Sequence, residues 1–420
     1  MPKILLIVEH YYPSNNIGAV RPTKLSKYLT ALGYTVDVVT KNPVTNQPDT
    51  PLFSTLYALN GQETAQTKKA ETPAGSKRRN KGPLYEKFFS VYWILKTILN
   101  AHAAVRRFDR LLTEGLGANR YDAVISSFGP LSSLLCGMHY KKKYPHVKWI
   151  CDFRDPVVVD VVPKLFHPYY RFLQNSACRK ADSIITVSDG YLQRICGQKF
   201  RHKAYMIPNG YDPDDGTMTT SAAPNQKLTF AYVGSLYSGM RDLSPLFEAI
   251  AELGREGAIS KDRISVKYAG TDSVHLFEQA SRFGLTDIVE DHGQLDRESC
   301  LRFQFDADLL ILATWNDRRE IGVFPGKFLE YMLMEKPIVS LVTGNLAGSE
   351  VKKVMDEGTF GVTYEEATRN ESFALLKDYI KRQYDSFTAT GTVNFAPNQN
   401  TLDRYNWCNL VSAVDQIIRE

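Results

Sequence analysis

Short apolar runs alternate with amphipathic stretches along most of the chain. Runs at residues 4–8, 36–40, 123–126, 147–151, 183–187 and 204–207 are too brief for buried helices and are rich in Ile, Val and Leu. Between them, residues 21–32, 132–143, 169–181 and 190–196 repeat their apolar positions at helical spacing. This β-α-β rhythm predicts an α/β fold with a doubly wound parallel sheet covered on both faces. The rhythm stops at Pro208-Asn-Gly-Tyr-Asp-Pro-Asp-Asp215, a string of turn formers followed by polar residues to about Lys227. A second series then begins, with strands predicted at 228–233, 264–268, 288–291, 309–313 and 337–342. The reading is two Rossmann-like domains, 1–207 and 208–405, facing each other across a cleft at the carboxyl ends of their strands. That is where such sheets bind ligands.

One stretch departs from the rhythm. Residues 46–83 are polar and include Lys77-Arg-Arg-Asn-Lys81, so a long mobile insertion is expected there. It leads into Tyr85-Glu-Lys-Phe-Phe-Ser-Val-Tyr-Trp-Ile-Leu-Lys-Thr-Ile-Leu99, with Arg106, Arg107 and Arg110 beyond. An aromatic helix with basic flanks suits peripheral contact with an anionic membrane through residues 77–110. The alternative is a helix packed on its own sheet.

Bulk properties narrow the rest. A chain of 420 residues exceeds one ordinary core, in keeping with two domains. The formal charge of +5 suits an anionic ligand or an acidic lipid face. No helix-turn-helix, zinc-finger or aromatic RNA-binding signature occurs, so no nucleic-acid partner is expected. Cys136, Cys151, Cys178, Cys196, Cys300 and Cys408 are scattered without a Cys-x-x-Cys and read as buried thiols of a reducing, cytoplasmic compartment. The first apolar run, 3–8, is too short for a signal sequence, and no segment has the length of a membrane span.

The segment from Glu320 to Ser340 carries the most chemistry. Pro325 and Gly326 open an apolar helix on which Lys327 and Glu330 lie one turn apart, and Pro337 starts the next strand. A helix N-terminus presents free N–H groups and positive dipole to a phosphate, and Lys327 adds a full charge. Glu330 can accept hydrogen bonds from ribose hydroxyls. The plain alternative is an exposed Lys–Glu pair at a helix-opening turn. Gly234 and Ser235 end an apolar strand, where a small residue lets backbone N–H groups approach a diphosphate or merely makes a turn. Asp152, Arg154 and Asp155 stand at a strand end. Their carboxylates could bind acceptor hydroxyls or take a proton, unless an Arg–Asp pair simply fixes the loop.

Several separated segments share one order: Tyr11-Tyr-Pro-Ser-Asn-Asn-Ile-Gly-Ala19 with Arg21 after it, Ser126-Ser-Phe-Gly-Pro130, Cys151-Asp-Phe-Arg-Asp-Pro156, Ala181-Asp-Ser-Ile-Ile-Thr-Val-Ser188, Ile207-Pro-Asn-Gly-Tyr-Asp212, Tyr232-Val-Gly-Ser-Leu236 and the Pro-Gly-Lys…Glu-Tyr segment. In this order and spacing the chain resembles glycosyltransferase family 4, of the GT-B fold. The resemblance covers nearly the whole chain and is vaguest over 46–81 and the far C-terminus.

The resemblance implies a retaining hexosyltransferase in cell-surface polysaccharide or glycan biosynthesis, cytoplasmic or peripheral on the inner face of the cytoplasmic membrane. It would move a sugar from a nucleotide-sugar, UDP before GDP, to a glycan or lipid-linked acceptor, with no bound metal and no cofactor. The donor would sit mainly on the second domain, and a final helix in 406–420 would cross back to the first. By the same resemblance Gly18, Gly234, Ser235, Arg241, Lys327 and Glu330 bind the donor, while Arg241 and Lys327 also stabilise the leaving diphosphate. Gly18 and Ala19 match a loop approaching the donor phosphates; Arg241, at the start of the next helix, is about one position off the commonest spacing. Glu330 matches the second glutamate of the family's Glu-x7-Glu element, but the first falls on Gly322. Glu320, two residues earlier, is the candidate to contact the transferred sugar. His10, Arg21, Asp152 and Asp155 are the acceptor-side candidates, with Asp155 also the candidate base. Arg21 could instead be a helix-surface charge, and His10 a structural residue. Two other readings remain: a nucleotide-sugar isomerase or epimerase on the same scaffold, and a non-catalytic GT-B-like binding subunit.

Overall fold

The computed structural model describes residues 2–14, 17–41, 51–59, 83–116, 120–158, 162–216, 224–237, 240–318 and 321–420. The chain divides into two units: Met1–Pro208 with Trp407–Glu420, and Asn209–Asn406.

Unit 1 contains β1 (Lys3–Ile7), α1 (Ile17–Ala31), β2 (Thr35–Thr40), β3 (Thr55–Ala58), α2 (Pro83–Glu114), β4 (Ala123–Phe128), α3 (Leu131–Lys143), β5 (Lys148–Phe153), α4 (His167–Lys180), β6 (Ser183–Thr186), α5 (Asp189–Cys196) and β7 (Ala204–Met206). Its seven strands run parallel in the order β3-β2-β1-β4-β5-β6-β7. Apolar side chains on alternate strand positions enter two cores, one per face: Leu5, Val124 and Trp149 on one, Ile4, Ile125 and Ile150 on the other. Covering both faces is why these strands read as continuous apolar runs.

Unit 2 contains β8 (Leu228–Val233), α6 (Ser244–Arg255), β9 (Ile264–Ala269), α7 (Ser273–Ser281), β10 (Val289–Asp291), α8 (Arg297–Phe305), β11 (Leu309–Trp315), α9 (Gly326–Met334), β12 (Ile338–Thr343), α10 (Glu350–Gly358), β13 (Gly361–Glu365), α11 (Arg369–Thr390) and α12 (Gln399–Arg404). Its strands are parallel in the order β10-β9-β8-β11-β12-β13. This is the doubly wound Rossmann order, with the switch point between β8 and β11; in unit 1 it lies between β1 and β4. The last helix, α13 (Trp407–Arg419), packs in unit 1, where Trp407, Leu410, Val411, Val414 and Ile417 join the core beneath α1.

Two expectations need correction. The mobile insertion expected over 46–83 contains β3, an edge strand paired in register with β2, and Leu52 and Phe53 just before it are buried. Its few apolar residues suffice at an edge, where one neighbour supplies the backbone hydrogen bonds. Residues 42–50 and 60–82, including the Lys77–Lys81 run, lie outside the described residues. The thiols are also not uniformly buried: four are, but Cys300 is half-buried and Cys408 is exposed on α13. Among the described residues no helix is long and apolar enough to cross a membrane.

Candidate active site

At the carboxyl edge of unit 1, the groups predicted to meet an acceptor largely meet one another. Arg21 is 4% exposed and Asp152 is fully buried. The Arg21 Nε donates to both Asp152 oxygens at 3.1 Å, and its Nη1 donates to the Pro208 carbonyl at 2.9 Å. The Ser127 hydroxyl donates to the same carboxylate at 2.7 Å. Arg21 is therefore not a helix-surface charge, and Asp152 is enclosed by its partners. The guanidinium also stands 5.8 Å from the Trp407 ring centre. It thus touches both the point where the chain leaves unit 1 and the point where it returns.

Arg154 bonds backbone instead of a carboxylate. Its Nε donates to Phe128 O at 3.0 Å, Nη1 to Gly18 O at 2.5 Å, and Nη2 to Gly129 O. Burial pulls this guanidinium below its ordinary pKa. The Gly18 contact explains a misplaced boundary. Helical spacing predicts a helix from Arg21, yet α1 starts at Ile17 and holds Pro22 inside it. Pro22 lacks the N–H that would bond Gly18 O, and Arg154 takes that carbonyl. Gly18 is accordingly in the first turn of α1, not in a loop before it. Asp155 stays exposed two residues beyond β5, and His10 is half-buried beyond β1.

Glu9 is the residue the sequence reading missed. It follows β1 at the switch point, with its side chain 16% exposed. It accepts from the Ser132 hydroxyl and from Lys41 Nζ at 3.2 Å. The available signal was its position: a carboxylate at the end of the first strand.

In unit 2 the edge is cationic. Helix α9 begins at Gly326 with Pro325 as its N-cap and no side-chain cap, so its first amides point outward unclaimed by a side chain. Tyr331 anchors the helix by donating to Ile311 O at 3.0 Å, and Phe328 is buried beneath it. Lys327 folds back over β8, where its Nζ donates to Val233 O and lies 5.3 Å from the Tyr232 ring centre. Burial, with Arg241 nearby, lowers its pKa to about 8.

Gly234 has a different job from the one predicted. Its φ is +112°, and an added Cβ would strike Lys327 Nζ. Its N–H donates to Ala269 O at 2.7 Å, so it is not offered to a ligand. The glycine makes room for the lysine. The loop after it is held from below: Asp272 accepts from the Ser235 hydroxyl at 2.6 Å and from Leu236 N–H at 2.7 Å, and these donors lower its pKa. Tyr268 donates to Gly234 O at 3.0 Å, and Tyr232 to Ser235 O at 2.9 Å. Arg241, three residues before α6, donates to Ser235 O at 3.1 Å. Its guanidinium stacks 4.5 Å from Tyr237 and 5.7 Å from Trp315. Tyr237 sits at φ +49°, an uncommon conformation for a bulky residue, with its N–H held by the Ser235 hydroxyl at 3.0 Å.

Glu330, one turn along α9 from Lys327, is partly exposed and pairs with Arg297 at the start of α8. Gln304 approaches its other oxygen at 3.5 Å. Gly322 has φ +86°, so the missing first glutamate reflects a backbone that favours glycine there. Glu320 lies outside the described residues. Unit 2 thus brings Gly234, Ser235, Arg241, Lys327 and Glu330 to one end of its sheet. Unit 1 collects His10, Arg21, Asp152 and Asp155 at its own carboxyl edge, two of them as an internal pair.

Residues 19–215 match the model of Glycosyltransferase Family 4. No curated protein matches the chain in sequence. Among solved structures, sucrose-phosphate synthase from Thermosynechococcus elongatus is similar at 16% identity and TM-score 0.61, over 100% of this chain and 98% of that one. The lipopolysaccharide outer core galactosyltransferase WaaB is similar at 12% identity and TM-score 0.59, over 99% of each chain. The E. coli trehalose-6-phosphate structure bound with UDP-2-fluoro glucose gives 12% identity and TM-score 0.59, over 100% of this chain and 99% of that one. Residues 19–215 thus match Glycosyltransferase Family 4, the two Rossmann-like units have the GT-B fold of these structures, and the protein is a glycosyltransferase.

Proposed function

We propose that the enzyme transfers a sugar from a UDP-sugar to a glycan or lipid-linked acceptor, with retention at the anomeric carbon. The observation that carries this is the cation pair at the carboxyl edge of unit 2. Lys327 and Arg241 converge beside an uncapped helix N-terminus, close enough that the Arg241 charge disfavours that of Lys327. Two neighbouring cations in a partly buried setting are poorly matched until an anion arrives. A diphosphate, doubly charged, fits that deficit and the amides of α9.

In this reading the anomeric C–O bond breaks, and the electron pair leaves with the β-phosphate oxygen. Arg241 and Lys327 stabilise the charge that accumulates there, usually the largest catalytic contribution. The acceptor hydroxyl attacks from the same face, and its proton passes to the departing diphosphate. Glu330 receives a ribose hydroxyl while Arg297 holds its carboxylate in place. Asp155 orients the acceptor hydroxyl. Asp152 is a positioning residue, because it is enclosed with Arg21. The preference for uridine draws on the similar E. coli structure, whose ligand is UDP-2-fluoro glucose. The cations supply the positive charge in this scheme, so transfer should survive EDTA. Free thiols without disulfides among the described cysteines support a cytoplasmic setting.

A thermal-shift panel of UDP, GDP, ADP and their sugars tests binding and base together. UDP-sugars should stabilise the protein, and UDP release with water as acceptor should follow. Isomerised donor without UDP release would identify an isomerase. Stabilisation without any turnover would identify a binding subunit. The anomeric configuration of the transferred sugar, read by NMR, tests retention.

A further inference from the structure

Helix α2 has two faces of unlike purpose. Ile94, Ile98, Ala101, Ala104, Phe108 and Leu112 recur at helical spacing and pack into the unit 1 core. A helix seated this way ordinarily shows polar residues on its other side. Here the opposite side of the first half carries Phe89, Tyr92, Trp93 and Leu99, with Leu99 68% exposed and Tyr92 57%. At about 100° per residue, these four and Lys96 fall within an arc of about 120°. Arg106 and Arg110, both exposed, continue the same side toward the C-terminus. Neighbouring α4, linked to α2 by the 3.0 Å contact between His102 and Tyr169, adds exposed Phe172 and Arg171.

Charge selects among occupants. Lys96 lies 5.9 and 5.3 Å from the Tyr92 and Trp93 ring centres, so the cation sits among the aromatics. No Asp or Glu occurs between Glu86 and Asp109, and Asp109 is held by His139 and Lys143 at 2.8 and 2.9 Å. The chain's own residues 60–82 supply no suitable cover. They contain no aliphatic or aromatic side chain larger than alanine except Pro73, and they hold six basic residues against two acidic ones. An apolar, aromatic face free of carboxylates along residues 87–108, with Lys96, Arg106 and Arg110 beside it and exposed Glu114 only at the far end of the helix, matches the boundary of an anionic bilayer. Among the described residues no helix is both long and apolar enough to cross a membrane, and α2, at 32 residues, lacks the apolarity, so the helix would lie on the surface.

We propose that this face of unit 1 seats the enzyme on anionic lipid, with Tyr92, Trp93 and Leu99 at the acyl boundary and Lys96, Arg106 and Arg171 among the headgroups.

The test is co-sedimentation of the full chain with vesicles of phosphatidylcholine alone or with phosphatidylglycerol added. The wild-type protein should sediment with the mixed vesicles, and added salt should release part of it. Trp93→Ser with Leu99→Ser should weaken partitioning at least tenfold. Lys96→Glu with Arg106→Glu should remove the preference for phosphatidylglycerol. Both variants should keep wild-type thermal unfolding, nucleotide-induced shifts and UDP release in vesicle-free buffer, since every altered side chain is exposed. Failure of the wild type to bind phosphatidylglycerol vesicles overturns the proposal, as does binding indifferent to the Trp93 and Leu99 changes. A vesicle-free dimer that those changes dissociate would make the face a self-interface and also overturn it.

Discussion

The carboxyl edges of the two sheets share a topology and handle charge in opposite ways. In unit 1 the arginines are spent internally: Arg21 on buried Asp152 and Arg154 on three carbonyls. In unit 2 Arg241 leans on the faces of Tyr237 and Trp315, and Lys327 lies over Tyr232 and donates to Val233 O. A cation neutralised by a buried carboxylate organises structure. A cation held against aromatic rings and a second cation retains unmet charge for an anion. Strand order alone does not tell the two apart.

The most damaging way to break the comparison is at Arg21. Removing one partner of a buried, hydrogen-bonded ion pair typically costs about 3–5 kcal/mol. Arg21→Ala should lower stability by that amount in urea unfolding, whereas Arg241→Ala should stay within about 1 kcal/mol because its side chain is half-exposed and has no carboxylate partner among the described residues. Nucleotide-induced thermal shifts should persist in a folded Arg21→Ala fraction. A stable Arg21→Ala protein that no longer releases UDP would instead put Arg21 on the ligand.

Turnover should show the reverse order. In the proposed reading Lys327→Ala removes a cation from the leaving group and should reduce UDP release about a hundredfold. Glu330→Ala, which in the proposed reading loses a ribose contact, should reduce it about tenfold, mainly through a higher KM. Neither change touches the core, so unfolding midpoints should hold. If both variants turn over like wild type, the diphosphate does not bind here. Gly234→Ala attacks the same feature from beneath: its methyl would displace Lys327 and face a φ of +112°. A loss approaching that of Lys327→Ala is expected, with some destabilisation from the backbone.

Much of this was legible beforehand, for identifiable reasons. Strands covered on both faces leave unmistakable apolar runs, so both sheets could be read from the chain. Strand β3 could not: an edge strand of four residues inside polar sequence leaves almost no periodicity. Lys327 and Glu330 were legible because one helical turn fixes their spacing. Partnership across the fold was not, since Arg21 and Asp152 lie 131 positions apart and Arg154 stood nearer in sequence. The glycine at 234 was found for the wrong reason. A strand-end glycine announces a close approach but does not say whether a phosphate or a lysine makes it.

The finest test of the contrast is pH. Desolvation first, then Arg241, depresses Lys327 to about 8, while a bound diphosphate would favour its charged form. The sign follows: below pH 8 the free protein already carries the ammonium, and a UDP-sugar binds at full strength. Above it, binding must first draw a proton from solvent. Affinity should therefore fall by about twofold at pH 8 and about tenfold at pH 9 relative to pH 6.5, with proton uptake detectable by titration calorimetry in buffers of different ionisation enthalpy. The diphosphate of a UDP-sugar has no titration of its own in this window. Lys327→Arg should flatten the profile, because a guanidinium stays charged throughout. Arg241→Ala should keep the slope but move its midpoint upward, since the neighbouring charge that disfavours the ammonium is gone. A profile still falling through pH 8 in Lys327→Arg would assign the titration to another group and remove Lys327 from the anion site.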